Sequence, residues 1–338
     1  MRKKSKAVTI KEVADRAKVS VATVSRVLNN SIRVKGHLKR SVDQAIQELG
    51  YEYKPSSTAS RKAREPARIG IVLPNIGNPY FSLLIAGISN SAVVSAAEIL
   101  LFNSDENIET EKRHFSRIAH SNVQGVIYIP FAREIDPFVF ELMEKKFPLV
   151  FLDRELQDGE TCFVGSDNVE GAYHATTYLL DLGHRDIAFI SGPSHLSTST
   201  ARFEGYSKGL AEFGLKVRKE LVLYGDTTYE GGLREMKKFL SRKVKFSAIF
   251  GSDDRMALGA RRAVEETGLA VPRDVSIIGY DDIPFSEYME LTTIAQPSYE
   301  VGKNALILLM ELIEHRRRPP QRILLRDSLI IRKSCRKV

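Results

Sequence analysis

From residue 69 onward, short apolar segments alternate with longer segments of helical character. Strands that are apolar on both faces and separated by helices are typical of parallel sheets covered on both sides. The predicted strands are IGIVLP (69–74), ILLFN (99–103), GVIYIP (125–130), PLVFLD (148–153), CFVGSD (162–167), DIAFIS (186–191), LVLYGD (221–226), SAIFGSD (247–253) and VSIIGYDD (275–282). They fall into two successive series of about 100 residues each, which predicts two similar Rossmann-like parallel-sheet lobes.

Polar side chains follow the carboxyl ends of these predicted strands, among them Asn78, Asp153, Asp253 and Asp281. In open parallel sheets, ligands bind beyond the carboxyl ends of the strands. Two lobes that face each other through such edges enclose a cleft rich in carboxylates, which suits a polyhydroxylated ligand such as a sugar. The same polar residues are also typical of helix N-caps and turns, and the pattern alone does not decide between the two roles.

Residues 9–30 have the pattern of two short helices joined by about three residues, as in a helix-turn-helix. The first helix has apolar residues at spacing i, i+3, i+4, i+7 from Ile10. Thr9 and Glu12 form a capping-box pattern at its start, and Ser20 is a favourable N-cap for the second helix. Four side chains remain on the outer face where the second helix begins, the place from which a recognition helix contacts base edges: Val21, Ala22, Ser25 and Arg26.

Charge distinguishes this segment from an ordinary helical hairpin. Residues 1–68 contain 17 Lys and Arg but only 6 Asp and Glu, a net charge of +11, whereas the whole chain carries +8. All of the positive excess therefore lies in the first fifth of the chain, and the remainder is slightly acidic. A basic module attached to a near-neutral body is typical of a protein that binds nucleic acid, so we predict DNA binding.

A third helix is predicted from Leu38 to Leu49, with Gly50 as its C-cap. The following residues, 51–68, contain no large aliphatic side chain and are too polar to bury a core. We interpret them as a linker or hinge. Residues 56–64 would form a helix if DNA phosphates held them, and a plain flexible tether is the alternative.

The sequence lacks the motifs of several function classes. There is no apolar run of 18 residues and no apolar core of a secretory signal, so we expect a cytoplasmic protein without a membrane span. There is no Gly-x-Gly-x-x-Gly after a strand, no phosphate-binding loop and no His-Glu-x-x-His helix. The two cysteines are far apart in the sequence and do not have the spacing of a metal site. His184 lies just before a predicted strand, and we interpret it as a structural histidine. We therefore expect no catalytic residue, metal or cofactor; a sugar-binding protein of the periplasmic-binding type without DNA function is the alternative.

Ordered segments along almost the whole chain resemble the lactose/galactose-repressor (LacI/GalR) family of bacterial transcription factors. These are TIKEVADRAKVSVATVSRVLN, AIQELGY, NPYFSLLIAGI, GVIYIP, DNVEGAYHATTYLLDLGHRDIAFISGP, RFEGY, MALGARRAVEETGLAVPRDVSIIGYDDIP and TTIAQPSYEVG. The resemblance implies a homodimer, sometimes a tetramer, that binds a near-palindromic operator. It also implies a periplasmic-binding-protein-like core whose effector, here expected to be a sugar, alters operator affinity.

The resemblance assigns roles to individual residues of the DNA-binding region. Val21, Ala22 and Arg26 match the family's base-reading positions, and a bidentate contact of Arg26 to guanine is worth about 1–3 kcal/mol of discrimination. The positions that match phosphate contacts, which set register, are Thr9, Ser20, Thr23, Ser25 and Asn29. Where the family usually carries a leucine that wedges into the minor groove, this chain has Lys62. Lysine is a poor substitute for an apolar wedge, so we expect Arg61 and Lys62 to supply charge near that groove.

The resemblance also assigns the effector contacts. Arg202 matches the arginine that holds the ligand, Asp253 and Asp281 match further contacts, and Asn78 and Phe81 match residues that line the cleft. Asp153, at the end of a predicted strand, completes the predicted set. The carboxylates of Asp253 and Asp281 favour a neutral, hydroxyl-rich ligand over an anionic one, although Arg202 tolerates either.

These observations predict three parts of the chain. Residues 1–54 form an all-α helix-turn-helix headpiece, and residues 55–68 form the hinge. Residues 69–338 form the α/β core for effector binding and dimerisation. Its N-lobe spans about 69–165 and 296–326, and its C-lobe spans about 166–295 and 327–338. The predicted function is a transcriptional regulator, in particular a repressor of carbohydrate uptake or catabolism genes.

Overall fold

A computed structural model describes residues 8–28, 36–49, 51, 66–131, 137–156, 161–317 and 319–338. The chain forms two compact units, Met1–Glu65 and Pro66–Val338. Each unit is described below by itself.

The described residues of the first unit form three helices: α1 (Ile10–Ala17), α2 (Val21–Leu28) and α3 (Gly36–Leu49). Their buried apolar faces meet in one small core of Val13, Ala14, Val24, Val27, Val42 and Ala45. The predicted capping box is present, because Glu12 N–H donates to Thr9 Oγ1 and Thr9 N–H donates to the Glu12 carboxylate. Lys18 ends α1 in the left-handed conformation, with φ of 54°, so the chain turns sharply into α2.

The second unit contains two parallel-dominated sheets covered by helices. The N-lobe elements are β1 (Ala67–Leu73), α4 (Pro79–Ser95), β2 (Ala97–Asn103), α5 (Ile108–Ala119), β3 (Gly125–Tyr128), α6 (Pro137–Glu144), β4 (Leu149–Leu152) and β5 (Cys162–Ser166). The C-lobe elements are α7 (Asn168–Asp181), β6 (Ile187–Ser191), α8 (Ser197–Glu212), a 3-10 turn (Lys219–Leu221), β7 (Val222–Tyr224), α9 (Tyr229–Ser241), β8 (Ala248–Gly251), α10 (Asp254–Glu265), β9 (Ser276–Asp281), α11 (Pro284–Tyr288) and β10 (Thr292–Ala295). The remaining elements are α12 (Ser298–Ile313) and β11 (Arg322–Leu325) of the N-lobe and β12 (Ser328–Ile330) of the C-lobe.

The strand orders are β11-β5-β4-β3-β1-β2 in the N-lobe and β12-β10-β9-β8-β6-β7 in the C-lobe. All described pairs are parallel except β10 with β12, which are antiparallel. The predicted doubly covered parallel sheets are thus confirmed, with one antiparallel edge strand. Within the described residues the chain passes between the two sheets after Ser166, after Ala295 and after Leu325.

Some element boundaries differ from the sequence predictions. The segment between the first two predicted strands predicts a helix from about Phe81 to Ala97. Helix α4 begins at Pro79 instead, because Asn78 caps it and a proline is favourable at the first helical position. It ends at Ser95, two residues before the predicted end, because Ala96 adopts φ of 50°. The sequence analysis predicts no helix or strand for α6 or for the elements after residue 282.

The apolar stretch 305–313 is compatible with either a dimer contact or burial inside a lobe, and the structure places most of it inside. Ala305, Leu306 and Leu309 are fully buried against α4, while Ile307 on the other side of α12 is 43% exposed. Helices α4 and α12 approach closely because each has a glycine at the crossing. A Cβ on Gly87 would lie 2.0 Å from the Tyr299 carbonyl oxygen, and one on Gly302 would lie 2.1 Å from that of Leu84.

Among the described residues, no helix combines the length and the apolar character needed to cross a membrane. The same residues contain no group of three His, Cys, Asp or Glu side chains arranged to hold a metal ion.

Candidate functional site

One cavity lies between the carboxyl ends of the two sheets in the second unit. Its empty space is about 380 Å³, part of it open to solvent. All six residues predicted to contact the effector line this cavity: Asn78, Phe81, Asp153, Arg202, Asp253 and Asp281. The other lining residues are Tyr80, Arg154, Leu196, Thr198, Ser199, Thr227 and Ser252. Both lobes therefore contribute to its walls.

Two of these residues act as helix N-caps and line the cavity at the same time. Asn78 Oδ1 accepts from Tyr80 N–H at 3.2 Å, and Asp253 Oδ1 accepts from Met256 N–H at 2.8 Å. The two roles that the sequence left open are therefore not exclusive. The second carboxylate oxygen of Asp253 is buried and accepts no hydrogen bond from the described residues.

Two other acidic residues are held in unusual backbone conformations at strand ends. Asp153 follows β4 with φ of 64°, and Asp281 ends β9 with φ of 110°. Residues other than glycine rarely adopt positive φ, and such positions concentrate at functional sites. Here the conformation directs both carboxylates into the cavity that they line.

Arg202 is the centre of a dense set of contacts. Its Nε donates to Asn168 Oδ1 at 2.7 Å, its Nη1 donates to the Ser252 carbonyl oxygen at 2.5 Å, and its Nη2 lies 3.1 Å from Asp281 Oδ1. The guanidinium also lies over the Tyr280 ring, 3.8 Å from its centre. Burial alone would lower the pKa of Arg202, but the combined attraction of Asp281 and of the other acidic groups around it outweighs this cost and raises it. The arginine is thus a fixed, charged part of the cavity wall.

The carboxylates of the cavity are largely buried. Burial raises the pKa of Asp253, whereas at Asp281 the adjacent Arg202 guanidinium opposes the effect of burial and favours the charged form. Asp153 Oδ1 accepts from the Tyr80 hydroxyl at 2.6 Å. These groups offer acceptor oxygens in a site with little water to compete for them.

The predicted DNA contacts are only partly described. Thr9 caps α1, while Thr23 N–H donates to Ser20 Oγ at 3.2 Å at the start of α2. Val21 is 44% exposed, which is consistent with an outward position. The side chains of Ala22, Ser25 and Arg26, and the residues Asn29, Arg61 and Lys62, lie outside the described part of the chain.

Comparisons with known proteins match both units. Residues 9–55 match bacterial regulatory proteins of the lacI family, and residues 176–335 match a periplasmic binding protein-like domain. The HTH-type transcriptional repressor PurR of Erwinia tasmaniensis is 36% identical over 332 residues, which cover 96% of each chain. The chain belongs to the lacI family of bacterial regulatory proteins.

Solved structures of transcriptional regulators share the fold over nearly the full length. A complex of the transcriptional regulator CelR with cellobiose superimposes with a TM-score of 0.74 at 29% identity, covering 97% of this chain and 99% of that one. The lac repressor dimer bound to operator and the anti-inducer ONPF gives a TM-score of 0.73 at 27% identity, covering 98% and 100%. The predicted fold and the prediction of a DNA-binding transcriptional regulator are confirmed, in preference to a sugar-binding protein without DNA function.

Three further side chains belong to this lacI-family site but are not among the predicted effector contacts. Asn168 and Arg154 follow predicted strands, and only that weak signal was available for them. Gln296 carried no chemical signal, because its role depends on contacts between distant segments. Its Nε2 donates to Asp281 Oδ1 at 2.7 Å, and its Oε1 accepts from Ser166 Oγ at 2.6 Å. Gln296 therefore joins two of the segments that pass between the lobes.

His184 has the structural role that the sequence predicted. It is fully buried, and its two ring nitrogens lie 2.8 Å from Ser247 Oγ and 2.9 Å from Ser276 Oγ. Burial lowers the pKa of its imidazole, which favours the neutral form. With both nitrogens occupied, the ring connects the segment before β8 to the start of β9, which is a structural role.

Proposed function

We propose that this lacI-family regulator represses carbohydrate uptake or catabolism genes in response to a sugar-type effector bound between the lobes of its core. It acts in the cytoplasm, has no enzymatic activity of its own, and binds a near-palindromic operator as a homodimer. The names of the solved relatives support this proposal, since one is a complex with cellobiose and another is a dimer on operator DNA.

The observation that carries the effector assignment is the chemistry of the cavity. Its wall presents acceptor oxygens from Asp153, Asp253 and Asp281 on two lobes, and Asp253 Oδ2 has no donor among the described residues. A buried acceptor without a partner costs about 1–3 kcal/mol, so a ligand hydroxyl that donates to it gains a corresponding advantage. A ligand with several hydroxyl groups matches such a wall best.

The proposed effect on DNA is thermodynamic linkage. The effector contacts both lobes and therefore favours one relative arrangement of them, and the two headpieces of a dimer match the operator in only one arrangement. Such coupling is typically about 1–3 kcal/mol, or about 5–150-fold in affinity. Whether the effector releases the operator or strengthens its binding depends on which arrangement it favours.

For DNA recognition, we propose that Val21, Ala22 and Arg26 read bases. Thr9, Ser20, Thr23, Ser25 and Asn29 contact phosphates, with Arg61 and Lys62 near the minor groove. The strong positive charge of residues 1–68 and the partly exposed start of α2 support this assignment.

The experiment for the DNA-binding part starts from an operator selected out of random duplexes. Arg26→Ala should weaken binding to that operator by about 1–3 kcal/mol and relax discrimination at one base pair per half-site, because a bidentate guanine contact is lost. Lys18→Ala, a charge-matched change at the C-cap of α1, is the control. An equal loss on every operator variant would show that Arg26 contacts only the backbone.

A further inference from the structure

We propose that the effector carries an acidic group, a carboxylate or a phosphate, and that Arg154 binds it. The natural ligand class is then a sugar acid or a sugar phosphate. This inference rests on the proposed function, because it refines the ligand of the same cavity. Arg154 is not among the residues that the sequence predicts to contact the effector.

Arg154 is a buried cation whose charge is incompletely compensated. Only 7% of the residue is exposed, and it lines the cavity. Its Nη1 donates to the Pro130 carbonyl oxygen at 3.1 Å, while its Nε lies 3.8 Å from Asp153 Oδ2, too far for a hydrogen bond. No described residue accepts a hydrogen bond from this buried Nε–H. A buried donor in this state favours a ligand that brings an acceptor.

The contrast with Arg202 shows that the two arginines have different roles. Arg202 is paired with Asp281 at 3.1 Å and has hydrogen-bond acceptors for both Nε and Nη1. Burial lowers the pKa of Arg154, and Asp153 offsets this only in part, whereas the pKa of Arg202 is raised. Arg202 thus has a counter-ion within hydrogen-bond distance, whereas the nearest counter-ion of Arg154, Asp153, lies 3.8 Å away and makes no hydrogen bond to it.

The start of α8 adds a second feature that favours an anion. Its N-cap is Leu196, whose side chain accepts no hydrogen bond, so the first turn of this 16-residue helix lacks a side-chain cap. Leu196, Thr198 and Ser199 line the same cavity as Arg154. Free N–H groups and the helix dipole at such an end stabilise negative charge.

The C-lobe side of the cavity contributes an acceptor that is unpartnered within the described chain, which favours a ligand that donates. Asp253 Oδ2 is unpartnered among the described residues, and it lies on the C-lobe, while Arg154 follows β4 of the N-lobe. A ligand with an acidic group at one end and hydroxyl groups at the other satisfies both atoms and connects the two lobes. The sequence expectation of a neutral ligand counted the carboxylates of Asp253 and Asp281, but it gave no weight to Arg154.

The first test uses simple anions and does not depend on the identity of the sugar. Inorganic phosphate and acetate are titrated into the full chain at constant ionic strength, and thermal unfolding is followed. One or both should raise the unfolding temperature of the wild type more than chloride does. Arg154→Gln should remove this effect, Arg154→Lys should retain part of it, and Arg273→Gln, an exposed arginine paired with Asp274, should not change it.

The second test compares neutral sugars with their acids by calorimetry: glucose and galactose against gluconate, glucuronate, galacturonate and the 6-phosphates. An acid should bind about ten-fold or more tightly than its neutral parent, since charge-assisted hydrogen bonds contribute about 1.5–3 kcal/mol. Arg154→Gln should weaken binding of the acid by about ten-fold or more beyond any change in the affinity for the neutral parent, so that the advantage of the acid is lost. The carboxylate and phosphate arms identify the acidic group.

The outcomes separate this inference from the proposed function. If a neutral sugar binds and its acids do not, or if Arg154→Gln leaves the anion effect intact, the role of Arg154 is overturned while the carbohydrate effector stands. If no sugar of either kind binds, the carbohydrate proposal fails together with this inference. Retained operator binding by Arg154→Gln and Arg154→Lys shows that the variants are folded.

Discussion

Arg202 and Asp281 form a buried pair in which each charge depends on the other. Both are less than a tenth exposed, and the pair is linked to Gln296 through the Asp281 carboxylate. Removing one partner of such a pair leaves an uncompensated charge in a low-dielectric site, and this costs more than the pair itself contributes. The stability of the core and the chemistry of the cavity therefore both depend on the Arg202–Asp281 pair.

Arg202→Ala should destabilise the core by about 3–5 kcal/mol, because Asp281 is left buried without its counter-charge. It should also abolish the response to effector, while the headpiece still binds operator. Urea unfolding and operator titrations with effector measure the two effects. Arg262→Ala, at an exposed ion pair on α10, should leave both unchanged. An unaltered effector affinity in Arg202→Ala would contradict the assigned role.

Asp327 predicts a pH dependence of stability. The Tyr280 hydroxyl donates to its Oδ2, and burial raises the pKa of the carboxyl to about 7. In the unfolded chain the same group titrates near its ordinary value of about 3.9. The folded state therefore binds the proton more tightly, and the free energy of unfolding contributed by this group falls as pH rises from about 4 to about 7.

Asp327→Asn removes this titration but keeps an oxygen that accepts from Tyr280. The unfolding temperature of the variant minus that of the wild type should therefore increase from pH 4 to pH 7 and stay constant above. Asp274→Asn is the control, because hydrogen bonding to Arg273 lowers the pKa of Asp274, so its difference from the wild type should change only below about pH 4 and stay constant from pH 4 to pH 7. A difference that does not change with pH would show that Asp327 titrates normally.

At the level of residues, the predictable part of the site follows from chain-local rules and from the resemblance. Asn78, Asp153, Asp253 and Asp281 follow apolar strands, and the rule for open sheets places them together. Arg154 is also adjacent to a strand, but its importance lies in the partner that its Nε lacks. A missing partner depends on every surrounding segment, so the local pattern contains no information about it.

At the level of elements, the N-lobe depends on the close contact between α4 and α12. Gly302→Ala would place a Cβ 2.1 Å from the Leu84 carbonyl oxygen, so the helices must separate. Overpacking of this kind costs about 1–3 kcal/mol. Chemical denaturation should show that loss for Gly302→Ala and little change for Asn304→Ala, which lies two residues along α12. Equal stability of the two variants would mean that the crossing is looser than described.

The sequence predicts best the elements whose hydrophobic pattern is clear. The central strands are apolar on both faces, so their pattern is unmistakable, and the structure has them within a few residues. Helix α12 is apolar over most of 305–313 because it packs inside the lobe. A segment that is apolar on most sides lacks the alternation of polar and apolar residues by which a helix is recognised in a sequence. Strands β11 and β12 are short edge strands, and their partners lie far away in the sequence.

At the level of the whole molecule, charge is divided between the two units. The basic headpiece predicts that operator affinity falls steeply with salt, because binding releases counterions from the DNA. If a dimer makes six or more phosphate contacts, raising salt from about 50 to about 200 mM should weaken binding by about 10³-fold or more. Fluorescence anisotropy on the selected operator measures the slope. A slope near zero would contradict binding through the basic unit.

The same division predicts that a signal passes from the acidic core to the basic headpiece. The most direct measurement is the operator affinity of the full chain, by anisotropy at fixed salt, with and without each sugar and sugar acid of the panel. We expect at least one compound to change the affinity by about 5–150-fold, and Arg202→Ala to abolish that change. An operator affinity that no compound alters, or the lack of salt-sensitive binding to any selected duplex, would contradict the account.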